Sequence, residues 1–306
     1  MKIGSKFGFL MALAAGVFWG SYGTFTTILA DMGLGSNTIS LISPLFAMLL
    51  FFVFVLADSP KKLLVRRGLL PVLLVYGLLS ALFNYSLVRA YIYLPIAIVS
   101  TIVFCNLFLI MVFSYFLFHD KMTWQKCVAI TLAIFGIAMV LNVFSLEWTF
   151  SLTGILWTLA ATFSWAVMVT GEKFMLNHDV DGNAIMMYQG FFSVLFISLL
   201  ASPWQAIVDL AAAITATGGR ILLPVLGLGV VTTIGCFYLY INALKRLEAA
   251  YAQLGFVMDP LTASILGFLV FGQALLPIQI AGIALILLVV SWVQWGETRK
   301  KEPIQA

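Results

Sequence analysis

The stretch RGLLPVL at residues 67–73 recurs as RILLPVL at residues 220–226, 153 positions later in a chain of 306 residues. Each copy begins a long apolar segment, and five such segments lead from the first copy to the second. If every segment crosses a membrane, an odd number of crossings places the two copies on opposite faces of the bilayer. Repeats of opposite orientation are typical of many secondary transporters.

The composition excludes a soluble domain. Hydrophobic residues make up 63% of the chain and charged residues 9%, and the mean hydropathy is +1.10. Ordinary globular chains carry about 25% charged residues. The apolar runs are continuous and long enough to span a bilayer, so they predict helices rather than the alternating strands of a barrel. We therefore predict an all-α, polytopic membrane protein whose partner is the lipid bilayer, with no nucleic-acid partner.

Hydropathy and turn-forming residues place ten transmembrane helices in the chain. The first run is too long for the apolar core of a signal peptide, so we expect it to remain as the first span. A short amphipathic helix at the membrane interface is expected at residues 204–213. The predicted spans are residues 7–30, 38–57, 69–92, 95–118, 123–144, 152–176, 184–202, 220–244, 249–272 and 275–295.

The distribution of lysine and arginine supports this count and fixes an orientation. With a cytoplasmic N-terminus, 14 of the 16 basic residues lie on the cytoplasmic side, and only Arg89 and Arg220 lie outside. This bias is the one that membrane proteins follow. An extra or missing span would have scrambled it. We therefore predict that both termini are cytoplasmic.

The duplication extends well beyond the repeated heptad. In consistent registers, Trp19 matches Trp165 and Tyr85 matches Tyr238. We predict two inverted five-helix repeats, at residues 7–144 and 152–295, followed by a cytoplasmic tail at residues 296–306. A register this long is not expected from chance matches between apolar helices.

Several short motifs resemble those of a known family. They are Phe18-Trp19-Gly20, Ser164-Trp165-Ala166, Met258-Asp259-Pro260, Phe271-Gly272-Gln273 and Gln279-x-x-Gly282. Together they are similar to the drug/metabolite transporter superfamily in its EamA branch. Two positions depart from the usual pattern, because Gln273 stands where an acidic residue is common and Asp259 where glutamate is common.

The resemblance implies a pseudo-twofold bundle around a central cavity. It also implies export of a small metabolite, such as an amino acid or a drug-like amphiphile, across the bacterial inner membrane. It covers nearly the whole chain and implies no cofactor.

Asp259 is the first candidate for the transport pathway. A charge placed in a span costs about 2.5–3.5 kcal/mol on insertion scales, so such a residue is expected to have a function. Pro260 frees local backbone carbonyls, and the repeat-equivalent position holds Asn106. Asp259 could bind a cationic substrate group or exchange a proton, or it could hold together the backbone opened by Pro260.

Other polar and aromatic residues inside the spans are further candidates, although each also has a packing interpretation. Arg89 is a possible anchor, either for a carboxylate or at the interface, and the pair Glu172 and Lys173 is a possible gate. The remaining candidates for the substrate or ion pathway are Trp19, Trp165, Asn84, Tyr85, Tyr240 and Gln253.

Function classes other than secondary transport are weaker. The sequence has no His-Glu-x-x-His, Gly-x-Ser-x-Gly or P-loop motif, and its three cysteines have no metal-ligand spacing, so we expect neither an enzyme nor a metal site. Uptake or exchange through the same fold remains an alternative to export. An intramembrane enzyme is a more distant one. The oligomeric state is left open.

Overall fold

The computed structural model describes residues 3–63, 65, 67–118, 124–141, 151–176, 178–200, 202–244, 256 and 258–301. Throughout these ranges the regular structure is helical, and no strand is found in them. The described residues contain seven helical segments long and apolar enough to span a membrane, and three shorter apolar helices. The total equals the ten predicted spans, and the all-α membrane fold is confirmed.

The structure describes seven helices in the first half of the chain. They are α1 (Ile3–Gly20), α2 (Tyr22–Asp31), α3 (Ser36–Asp58), α4 (Leu70–Tyr93), α5 (Ile96–Phe104), α6 (Asn106–Phe118) and α7 (Trp124–Val140). Two short 3₁₀ turns, Pro60–Leu63 and Arg67–Leu69, connect α3 to α4.

In the described residues of the second half there are seven helices and one π-helical segment, Gly227–Gly235, which follows α11. The helices are α8 (Leu152–Leu176), α9 (Gly182–Leu200), α10 (Pro203–Ala216), α11 (Leu222–Leu226), α12 (Cys236–Leu244), α13 (Met258–Phe271) and α14 (Pro277–Lys301). Helix α10 lies where the interface helix is predicted, and none of its residues is buried. Ser202 caps its N-terminus, where the serine hydroxyl accepts from the Gln205 amide. The position of α10 at the interface stays a prediction.

Three predicted spans are interrupted rather than continuous. The first is broken by a turn at Ser21 and the fourth by a turn at Cys105, while the eighth changes from α to π geometry at Gly227 and back at Cys236. Hydropathy reports how long an apolar run is. It carries no information on whether the backbone hydrogen bonds continue along it, so these interruptions were not predicted.

The chain forms two compact units, each of which takes helices from both halves. The first consists of Met1–Thr24, Leu94–Ser151 and Gly235–Ala306. In it, α1 packs on α12 and α13, α5 packs on α13, and α7 packs on α14. Its core contains fully buried side chains such as Ile98 and Ile286.

The second unit consists of Phe25–Tyr93 and Leu152–Ile234. In it, α3 packs on α9, and α4 packs on both α8 and α9. Gly190 of α9 lies directly on the backbone of α3, since a Cβ atom placed there would be 2.6 Å from the amide nitrogen of Met48. Small residues that allow backbones to approach this closely are typical of helix pairs in membranes.

Candidate functional site

Asp259 lies in the first unit, in the first turn of α13, where its side chain is 5% exposed. Pro260 follows it and is also buried. Proline suits a helix start because the amide hydrogen it lacks would have no intrahelical partner there. The carboxyl group has a side-chain hydrogen bond with Ser100 of α5. The described part of α13 begins at Met258, so Asp259 lies in the first turn of that part.

Gly20, the last residue of α1, packs directly against the backbone of Asp259. A Cβ atom placed on Gly20 would lie 2.6 Å from the carbonyl oxygen of Asp259 and 2.8 Å from the Cβ atom of Thr262. The helices α1 and α13 therefore touch backbone to backbone at this point. The sequence motif that contains Gly20 is one of those on which the family resemblance rests.

Asn106, the repeat-equivalent of Asp259, has a similar position at the start of a helix. It follows the turn at Cys105, is buried, and donates from Nδ2 to the carbonyl oxygen of Val103 at 2.6 Å. The fourth and ninth spans thus each start a helix within one residue of the matched position. Discontinuous helices with polar groups at their ends are a common way to build the solute site of a transporter.

Ser100 is a site residue that sequence analysis missed. Its repeat-equivalent is Gln253, 153 positions later, which was selected because it precedes Asp259 by less than two turns. Applying the repeat register to Gln253 would have identified Ser100. Gln253 itself lies outside the described residues.

The aromatic candidates of the first unit pack against other aromatic rings. Trp19 lies 5.4 Å from Tyr22 and 6.0 Å from Phe237, measured between ring centroids. Tyr240 lies 5.1 Å from Phe256 in an edge-to-face arrangement. Such pairs stabilise helix packing, which is the packing interpretation of these residues, and a role in solute binding stays a prediction for both.

Arg89 is the centre of a polar and aromatic cluster in the second unit. Its guanidinium carbon lies 3.9 Å from the ring centroid of Tyr85 and 5.6 Å from that of Trp157 in α8. Nη2 donates to Oδ1 of Asn37 at 3.3 Å. Nη1 is buried and has no hydrogen-bond partner among the residues that the structure describes. Two predicted residues, Arg89 and Tyr85, are thus brought together.

The remaining candidates of the second unit link helices. Asn84 of α4 donates to the carbonyl oxygen of Ser80 at 2.9 Å and to Oγ of Ser193 in α9 at 3.4 Å. Trp165 of α8 lies 4.8 Å from Phe83, between ring centroids. These contacts are those expected of helix packing.

The proposed gating pair is only partly described. Glu172 is half-buried and lies close enough to Tyr76 of α4 for an electrostatic interaction. The hydroxyl of Tyr76 donates to Oε1 of Gln189 in α9 at 3.1 Å. The side chain of Lys173 lies outside the described part of the chain. So do residues 245–250, which include the expected partners of the gate, Lys245, Arg246 and Glu248. Within the described residues, no group of three His, Cys, Asp or Glu side chains is placed to hold a metal ion.

Comparison with known proteins assigns this arrangement of helices to a family. The model of the EamA-like transporter family matches the chain twice, at residues 6–142 and 152–294. The chain belongs to the EamA-like transporter family. It is therefore a multi-pass integral membrane protein of a transporter family, and the resemblance of its motifs is confirmed.

Two further similarities agree with membership of the EamA-like family. An uncharacterized transporter of Clostridium kluyveri is 20% identical over 292 residues, which cover 92% of this chain and 91% of the relative. A protein of known crystal structure has a TM-score of 0.62 at 17% identity and covers 96% of this chain and 99% of its own. At that identity the second similarity shows the fold alone.

Proposed function

We propose that this EamA-like protein is a secondary transporter that exports a small metabolite by alternating access, with Asp259 as the residue that couples export to a proton or a cationic group. The observation that carries the proposal is the burial of the Asp259 carboxyl group in an apolar span beside Ser100. The family supports transport in general. Export as the direction of transport, a small metabolite as the solute and coupling to protons or a cationic group are proposed in addition.

The surroundings of Asp259 favour a functional carboxyl over a structural ion pair. Within the described residues no lysine, arginine or histidine lies within 4 Å of it, since the two salt bridges found there both involve Lys62. An unpaired acid in a span is costly and is retained where ions or solutes pass. With one hydroxyl partner, the carboxyl can hold a proton in one state and face a cationic group in another.

The membrane and the orientation are part of the proposal. We place the protein in the inner membrane of a bacterium with both termini in the cytoplasm. The bacterial relative and the excess of lysine and arginine on one side support this placement. Import or exchange through the same fold is the alternative, and it predicts the opposite response of net flux to the sign of the proton gradient.

The test uses the purified protein in proteoliposomes loaded with a panel of amino acids and amphipathic metabolites. An imposed proton gradient should accelerate the efflux of at least one solute. Asp259→Asn should remove at least 90% of that acceleration, because an amide cannot release a proton. Asp31→Asn, at the exposed end of α2, is the matched control and should behave as the parent chain.

Two results would contradict different parts of the proposal. If Asp259→Asn keeps both its turnover and its dependence on the gradient, Asp259 is not the coupling residue. If no solute crosses faster than in liposomes without protein, transport of these solute classes is refuted.

A further inference from the structure

Among the residues that the structure describes, the guanidinium group of Arg89 contacts two aromatic rings and an amide but no anionic group. The rings of Tyr85 and Trp157 lie within cation–π distance of its central carbon, and Asn37 accepts from Nη2. Among the described residues no carboxylate lies within 4 Å of it. The carboxylate of Asp209 reaches Thr38, next to Asn37, where it accepts from Thr38 at 3.4 Å and from Gln205 at 2.8 Å.

The unsatisfied Nη1 atom indicates that a partner is missing. A buried donor without an acceptor loses its hydration without compensation, and the loss is larger for a charged group. Cation–π contacts offset part of the cost for the faces of the guanidinium plane. They do not replace the acceptor that each N–H bond requires. An oxyanion in the plane would supply the missing acceptor.

The second repeat shows that the helix does not need a charge at this position. The equivalents of Tyr85 and Arg89, 153 positions later, are Tyr238 and Asn242. Asn242 is satisfied by its own helix, because its Nδ2 donates to the carbonyl oxygen of Tyr238 at 2.8 Å. A neutral amide is therefore sufficient at this position in the second repeat, so the charge of Arg89 at the equivalent position in the first repeat requires a separate reason.

We propose that Arg89 binds an oxyanion of the transported solute, a carboxylate in the first instance, so that the solute is an organic acid or a zwitterion. This inference rests on the proposed function, and it names the solute class. A guanidinium presents two parallel N–H groups that match a carboxylate, which an ammonium group does not. Nη1 is enclosed in this conformation, and the solute reaches it in another state of the transport cycle.

A lipid phosphate is an oxyanion too, so the experiment separates the two sources. The full-length protein is placed in nanodiscs of phosphatidylcholine, and binding is measured for acetate with acetamide, phenylacetate with phenylacetamide, and indole-3-acetate with indole-3-acetamide. The members of each pair differ in charge and hardly in shape. At least one acid should bind tenfold or more tightly than its amide.

Three variants test the assignment to Arg89. Arg89→Gln should abolish the preference for the acid, with a loss in its affinity of about 10- to 100-fold. Arg89→Lys keeps the charge and should keep a reduced preference. Arg220→Gln, which removes the exposed arginine that is also predicted to lie outside, should leave the preference unchanged. If both glutamine variants lose the preference for the acid equally, the preference comes from a general electrostatic effect and not from a site at Arg89.

The comparison of acid with amide in the parent chain stays decisive even if Arg89→Gln does not fold. No preference for any acid overturns the inference. A preference for the acid that is present in nanodiscs of phosphatidylcholine and disappears in nanodiscs of phosphatidylglycerol assigns the site to a lipid headgroup. That result overturns the inference that Arg89 binds the solute. If some solute is still transported while no acid is preferred, only this inference fails. If the acid binds through Arg89 but no solute moves, the proposed function fails instead.

Discussion

At the scale of single residues, Gly20 is the position where the surroundings of Asp259 leave no room for a side chain. Gly20→Ala places a methyl group 2.6 Å from the carbonyl oxygen of Asp259, and neither backbone can move without shifting its helix. Overpacking of this kind costs about 1–3 kcal/mol. We expect a lower temperature of thermal unfolding in detergent, together with weaker dependence of transport on the proton gradient.

Gly35 is the matched control for Gly20. It precedes α3 at φ −62°, a conformation open to alanine, and no atom lies within 4 Å of a Cβ placed on it. Gly35→Ala should therefore leave both the unfolding temperature and transport unchanged. Equal effects of the two substitutions would mean that the contact between α1 and α13 is not tight in solution.

Lys62 provides a test of pH dependence outside the spans. Hydrogen bonds with Asp58 and then Asp181 raise the pKa of Lys62 above its ordinary 10.5. Because the folded pKa is the higher one, the stabilisation is fully present below pH 10.5 and is lost as the pH rises through the folded value. Lys62→Gln should unfold at a lower temperature than the parent chain at pH 7, and the difference should narrow above pH 10.5.

The control for Lys62 is Lys61, which is exposed and forms no ion pair within the described residues. Lys61→Gln should leave the unfolding temperature unchanged across the same pH range. A gap for Lys62→Gln that does not narrow as the pH rises above 10.5 would show that the lost stability comes from packing of the lysine stem rather than from its charge.

Single site residues could be predicted from the sequence where their side chains are of a kind rarely found inside apolar spans. Asp259 and Arg89 could be selected because charges inside apolar runs are rare. Ser100 is less conspicuous, since a serine in a helix is ordinarily satisfied by its own backbone, as Ser264 is by the carbonyl oxygen of Pro260. The repeat register with Gln253 is the one sequence signal that identifies it. Its pairing with Asp259 depends on the packing of α5 on α13, which no local pattern encodes.

At the scale of elements, the sequence predicts where spans lie better than how they are built. The third span was predicted at residues 69–92 and the helix found is Leu70–Tyr93. The eighth was predicted as one helix and contains the π-helical segment Gly227–Gly235. Two hydroxyls in that segment bond to the same carbonyl, since both Thr232 and Thr233 donate to Leu228. A π turn needs such local and tertiary compensation, which hydropathy does not report.

The π-helical segment is tied to α3 by one buried hydrogen bond, which a double-mutant cycle can measure. Oγ of Ser43 lies 2.8 Å from Oγ1 of Thr233. Ser43→Ala and Thr233→Val each remove one partner, and their coupling free energy should be about 0.6 kcal/mol, the average found between membrane helices, and no more than about 1.7 kcal/mol. Ser43→Ala with Thr232→Val should show no coupling, because the Thr232 hydroxyl bonds only to its own helix. Equal coupling in both cycles would contradict a direct bond.

At the scale of the whole molecule, the repeat accounts for which helices meet. Within the units, α3 packs on α9, α5 on α13 and α7 on α14, and each pair joins equivalent spans of the two halves. Contacts between equivalent elements are those that two homologous halves can form with each other, so this pattern agrees with the duplication. The assignment of helices to two units crosses the halves and was not predictable, because repeat registers identify equivalent positions but not their partners.

The orientation of the two halves is the prediction on which the proposed mechanism rests. A tag inserted at residues 145–149 should be accessible from outside intact cells, and a tag at the C-terminus only after permeabilisation. The reason is that 14 of 16 basic residues fall on one side in the ten-span arrangement, and moving them would oppose the bias that orients membrane proteins. A tag at residues 177–179, one span later, is the control and should be inaccessible. If the tag at residues 145–149 and the C-terminal tag report the same side, the second half does not cross an odd number of times and the halves are not inverted.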